Sequence, residues 1–184
     1  MKTEIRSKLR VYIFMALCCD LGLFAKKLIS PAANVITEFL HIPGGIATSC
    51  SLMFLIIAAS MIPAFGCGTL MAIVQSVLAL CFGMTGSMGL LAPVGYILPG
   101  LTVDMVLFIT RKTAKDMSLG IMISSIAASI TASLTANFLV FRLTGIVLIL
   151  YACVSGTSGS ICGLLAAQLV KRLKPVILSE KEIQ

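Results

Sequence analysis

Taken as a pattern of apolar and polar positions, the chain is a series of long apolar runs with short punctuation between them. No Asp, Glu, Lys or Arg occurs from Ile42 to Val103, from Met117 to Phe141, or from Leu143 to Val170. Runs of this length read as membrane spans, because about 20 helical residues cover the hydrocarbon of a bilayer. Cutting them at Gly, Pro and polar positions predicts six helices, at about 10–28, 46–62, 67–85, 90–110, 117–141 and 144–170. None of the runs alternates strictly, as the strands of a membrane β-barrel must, and a helix satisfies its own backbone in lipid. The expectation is an all-α integral membrane protein, one compact bundle of six transmembrane helices over residues 1–184, with "MIPAFGCG" and "GMTGSMG" as the turns around the third span.

Composition agrees with this reading: 59% of residues are hydrophobic, 11% are charged, and the mean hydropathy is +1.09. The basic start "MKTEIRSKLR" before an apolar run has the look of a signal peptide, but Asp20 interrupts that run and Lys26 and Lys27 follow it, so a retained helix is expected. With the termini on one side, Lys2, Arg6, Lys8, Arg10, Arg111, Lys112, Lys115, Lys171, Arg172, Lys174 and Lys181 share that face, against Lys26, Lys27 and Arg142 opposite. Eleven against three places both termini in the cytoplasm and the chain in the cell membrane. The net charge of +7 is then a topology signal and a contact with anionic headgroups, and no nucleic acid is expected as partner.

Several chemistries are excluded by what is missing. There is no G-x-x-x-x-G-K-[ST] stretch for nucleotide hydrolysis, and His41 is the only histidine, which rules out H-E-x-x-H zinc chemistry. The Ser-rich fifth span has no G-x-S-x-G elbow. The seven cysteines form no C-x-x-C pair and read as small apolar residues. No enzyme activity, metal or cofactor is expected.

Polar residues inside a membrane are expensive and need a partner or water. Asp20, Gln75, Asp104, Asn137 and Gln168 fall in this class. Asp20 and Asp104 are either hydrogen-bonded across a helix interface or part of a conformational coupling. In "YILPGLTVDMVLF", Pro99 and Gly100 predict a break that frees carbonyls of Tyr96 and its neighbours toward a cavity, with Asp104 anchoring the lower half or sensing occupancy; a plain kink with a buried acid is the alternative. Small residues recur every four positions in the last two spans, as Ser124, Ala128, Ala132 and Ala136, and as Ser155, Gly159, Gly163 and Ala167. Such stripes serve close packing within the chain or docking of a partner.

The longest outer connection is "SPAANVITEFLHIPGG", carrying Asn34, Glu38 and His41. Thr85, Ser87, Asn137 and Arg142 fall on the same side, with Tyr96 and Tyr151 about two turns in. A polar, aromatic-edged cup under a lid is expected, with Glu38, His41, Tyr96, Asn137 and Tyr151 as its substrate-binding residues.

This arrangement resembles the substrate-binding S components of energy-coupling factor transporters, which import micronutrients. The likeness covers nearly the whole chain. "HIPGG" opening the second span and "YILPGLTVD" in the fourth are similar to the branch associated with thiamine and its hydroxymethylpyrimidine precursor. It implies capture of a vitamin-like molecule in the outer half, with the motor supplied by a separate transmembrane T component and two ATP-binding cassette subunits, and toppling of the chain to release cargo. The family's A-x-x-x-A docking pattern is absent from the first helix; Cys18 and Gly22, flanked by Ala16 and Ala25, stand nearest to it. The competing reading is a self-sufficient small transporter or channel, oligomeric through its small-residue stripes.

Overall fold

Apolar runs with no internal partner for their backbone other than themselves become helices, and the computed structural model, which describes residues 2–40, 46–62, 64–113, 116–142 and 144–182, is helical there apart from short turns. Six α-helices follow one another: α1 (Lys2–Leu40), α2 (Ile46–Met61), α3 (Cys67–Cys81), α4 (Ala92–Thr113), α5 (Met117–Ala136) and α6 (Ile146–Glu182). A 3-10 turn (Gly86–Leu91) leads into α4 and a π-turn (Asn137–Phe141) ends α5. Three segments, Met88–Thr113, Met117–Phe141 and Ile146–Leu173, are long and apolar enough to cross a bilayer, and Ala47–Met61 and Cys67–Cys81 are shorter apolar helices. Phe138, Ile146 and Leu90 are more than four-fifths exposed. A surface this apolar calls for lipid around it, and the chain is a multi-pass membrane protein.

Two expectations about local structure are corrected. The stretch from Ser30 to Leu40, expected to be a loop, continues α1, with Pro31 inside the helix. Pro31 removes one backbone donor and leaves only the carbonyl four residues earlier without its helical bond, and Ala32 onward resumes. The expected break at Pro99 and Gly100 is also absent, since α4 runs through both. The carbonyl that Pro99 leaves without a helical donor belongs to Gly95, four residues back, rather than to Tyr96.

The core is built by close approach. A Cβ placed on Gly100 would lie 2.5 Å from the Ala72 Cβ and 3.0 Å from the Gly68 carbonyl oxygen, so α3 and α4 cross nearly backbone to backbone. Between α5 and α6 the small stripe of α6 packs on the serines beside the α5 stripe: Ser125 Oγ donates to the Gly159 carbonyl at 2.7 Å, and Ser155 Oγ to the Ser129 carbonyl at 2.7 Å. A Cβ on Gly163 would meet Ser125 Cβ at 2.9 Å. Hydroxyls satisfied by carbonyls of a facing helix are the kind of packing lipid-embedded helices use. Ser155, Gly159, Gly163 and Ala167 therefore lie in contacts made within the chain or buried, as do Cys18 and Gly22 on α1. Leu55, Ile56, Met71, Val103 and Ile121, each no more than 1% exposed, fill the middle of the bundle.

Candidate functional site

Short turns make consecutive helices antiparallel, so the bundle has two ends. One carries the α2–α3 turn and Arg111 of α4; the other carries the 3-10 turn, Tyr96, Lys26 and the end of α5.

At the Tyr96 end all six helices line one cavity of about 60 Å³, room for a few waters. Lys26 reaches it from α1, Thr48 and Ser51 from α2, and Gln75 from α3. The 3-10 turn and the residues before it add Met88 and Thr85, α4 adds Gly95 and Tyr96, α5 adds Ala132, Ser133 and Ala136, and α6 adds Tyr151 and Ser155. Each position follows from helical spacing. On α1, Cys19, Gly22, Leu23 and Lys26 share the inward face, while Asp20, Phe24 and Lys27 are exposed. On α4 the buried stripe Ala92, Tyr96, Pro99, Gly100, Val103 and Asp104 brings Tyr96 inward. Gly95 leaves room for Met88, whose sulfur would sit 2.6 Å from a Cβ there.

Two aromatic edges and a cation define the chemistry. Lys26 Nζ donates to the Tyr96 hydroxyl at 2.7 Å and lies 4.5 Å from the centre of its ring. Tyr151 is 3% exposed and meets Phe141 edge to face, with ring centres 6.2 Å apart. Gln75 is 1% exposed and its Nε2 donates to the Cys19 carbonyl at 3.3 Å, tying α3 to α1 beside the cavity. Together these side chains can hydrogen-bond a polar group and stack on a flat one.

Of the five substrate-binding residues expected from the sequence, the structure brings Tyr96 and Tyr151 together in the cavity. Asn137 is buried at the end of α5 but is not in the lining; its carbonyl accepts the Arg142 N–H at 2.7 Å in the π-turn. The Glu38 side chain and His41 lie outside the described residues. Sequence reasoning missed Lys26, which it counted only as a topology charge, and the hydroxyls of Thr48, Ser51, Ser133 and Ser155. The signal for Lys26 was its place three and four residues beyond Leu23 and Gly22, on the apolar face.

The coupling candidates resolve at the other end. Asp104 is 5% exposed and takes three hydrogen bonds: from Gly68 N at 2.9 Å, Thr69 N at 2.7 Å and Thr69 Oγ1 at 2.6 Å. It caps the N-terminus of α3, whose own N-cap residue is Gly66 and has no side chain to offer. Two turns on, Arg111 Nη2 lies 2.7, 3.3 and 3.1 Å from the carbonyl oxygens of Ala59, Ser60 and Ile62 at the end of α2. An acid on a helix N-terminus and a base on a helix C-terminus both match the helix dipole. α4 thus fastens the α2–α3 turn with one charge of each sign, while Tyr96 on the same helix faces the cavity. Asp20, by contrast, is exposed on the outer face of α1, as is Gln168 on α6. A larger cavity of about 280 Å³ sits beside Asp104, Arg111 and Lys112; the first two are engaged by helix ends, and the exposed Lys112 lies 5.1 Å from the centre of the Phe108 ring. Among the described residues no cluster of His, Cys, Asp or Glu is arranged to hold a metal.

Comparisons with protein-family models, with curated proteins and with solved structures return no match for this chain.

Proposed function

We propose that the chain is the substrate-capturing membrane subunit of a micronutrient importer of the energy-coupling factor type, working with a transmembrane T component and two ATP-binding cassette subunits. The observation that carries this reading is the convergence of all six helices on one polar, aromatic-edged cavity at a single end of the bundle. Beneath the cavity lies the apolar packing of Leu55, Ile56, Met71 and Val103, which favours capture from one side over conduction. Of the small-residue stripes that motivate a homo-oligomeric channel, that of α6 packs on Ser125 and Ser129 of α5, and Ser124, Ala128, Ala132 and Ala136 of α5 are buried within the chain. With both termini cytoplasmic, the cavity faces outward. Resemblance to the thiamine and hydroxymethylpyrimidine-precursor branch makes those molecules the first class to test.

Purification of the tagged chain from its native membrane in mild detergent is expected to bring down one further membrane subunit and ATP-binding cassette subunits, and uptake by the recovered complex in liposomes to require ATP. A pure chain that moves solute or ions across liposomes without nucleotide contradicts the proposal.

A further inference from the structure

Lys26 is the one charged side chain among the described residues that line the cavity. Its partner is a phenol: the ammonium donates to Tyr96 Oη at 2.7 Å and rests 4.5 Å from that ring's centre. An ammonium has three donors, and this geometry uses one of them for a neutral acceptor. The remaining described polar lining is hydroxyl and amide, from Ser51, Gln75, Ser133 and Ser155 among others. The acidic side chains among the described residues lie elsewhere. Asp20 is on the exposed face of α1, and Asp104 is taken up by Gly68 and Thr69. Lys26 is half-buried on the cavity wall, where a counter-charge would strengthen its place in the bundle, and among the described residues the protein supplies none.

We propose that the ligand supplies it: the cavity takes a small molecule bearing a carboxylate or phosphate group, bound by Lys26 Nζ with the Tyr96 hydroxyl as second donor. The small volume, about 60 Å³, fits a head group of this size. This inference rests on the capture reading and deepens it. It disfavours a permanently cationic ligand such as thiamine and admits an acid or a phosphorylated precursor.

The test is to purify the full chain in detergent, release whatever small molecule it carries, and identify it by mass spectrometry. A carboxylate or phosphate compound is expected. Its occupancy should fall roughly ten- to a hundredfold in Lys26→Met and Lys26→Gln, the range of a charge-assisted hydrogen bond, and stay within a few fold in Lys26→Arg. Two probe pairs complete the experiment, nicotinate against nicotinamide and hydroxymethylpyrimidine phosphate against hydroxymethylpyrimidine. In the pair that binds, wild type prefers the anionic member, and both neutral Lys26 variants lose that preference. A neutral or cationic molecule at full occupancy, or an anion preference surviving in both neutral variants, overturns the anion proposal and leaves capture standing. Recovery of phospholipid alone or of nothing, with neither pair binding, overturns the capture reading and this inference with it.

Discussion

Asp104→Ala is expected to destabilise the protein by on the order of 3 kcal/mol, read as the shift in its unfolding midpoint in mixed detergent micelles. The carboxylate receives two backbone N–H groups and one hydroxyl, and its removal leaves donors at the start of α3 buried without an acceptor. No side chain takes over, because the residue capping α3, Gly66, is a glycine. Asp104→Asn should cost less, about 1–2 kcal/mol, since one amide oxygen still accepts while the amide nitrogen faces a donor. Thr69→Val combined with Asp104→Ala should cost less than the sum of the single changes, because the two side chains share a bond. Additive losses would mean that Asp104 acts through something other than the α3 cap.

The second large effect is steric. Gly100→Ala puts a methyl 2.5 Å from the Ala72 Cβ and 3.0 Å from the Gly68 carbonyl oxygen, so α3 and α4 must separate, at about 1–3 kcal/mol. Ala72→Gly removes the methyl that Gly100→Ala runs into. The double variant is expected to recover part of the lost stability, since the approach to the Gly68 carbonyl remains and Ala72→Gly alone costs roughly 0.5–1 kcal/mol in the helix. If Gly100→Ala melts with wild type, the two helices do not cross as closely as described. The same crossing sets the position of Tyr96, one turn earlier on α4, so a separated pair should also bind more weakly.

The two predictions mark what was and was not readable from the chain. Five apolar helices were legible because charge-free runs leave a membrane segment little choice. The length of α1 was not, because Pro31 in "SPAAN" reads as a terminator, whereas in a long helix it costs a single bond. Pro99 misled in the same way. Asp104 was legible as an acid in need of a partner, but the partner is the uncapped start of a helix 35 residues upstream, a match made only by tertiary structure. Both halves were present in the sequence, one as an intramembrane acid and the other as "AFGCGT", a helix start with no Ser, Thr, Asp or Asn before it. Tyr96 and Tyr151 could be placed by counting turns from the helix ends. For Lys26, charge counting treats it and Lys27 alike; what separates the cavity residue from the exposed one is the rotation of α1, carried in the sequence only by the spacing from Gly22 and Leu23.

The central claim is that this chain, without any other subunit, captures a small molecule at the Tyr96 end. The measurement that reaches it most directly is equilibrium binding to the pure chain in lipid nanodiscs, using the molecule recovered from the wild-type protein, beside a melting curve for each variant. The account predicts one saturable site per chain, with Tyr96→Ala and Tyr151→Ala each weakening binding at least tenfold in protein that remains folded below its melting midpoint. Saturable binding that both variants leave unchanged would contradict it and move the site out of the cavity.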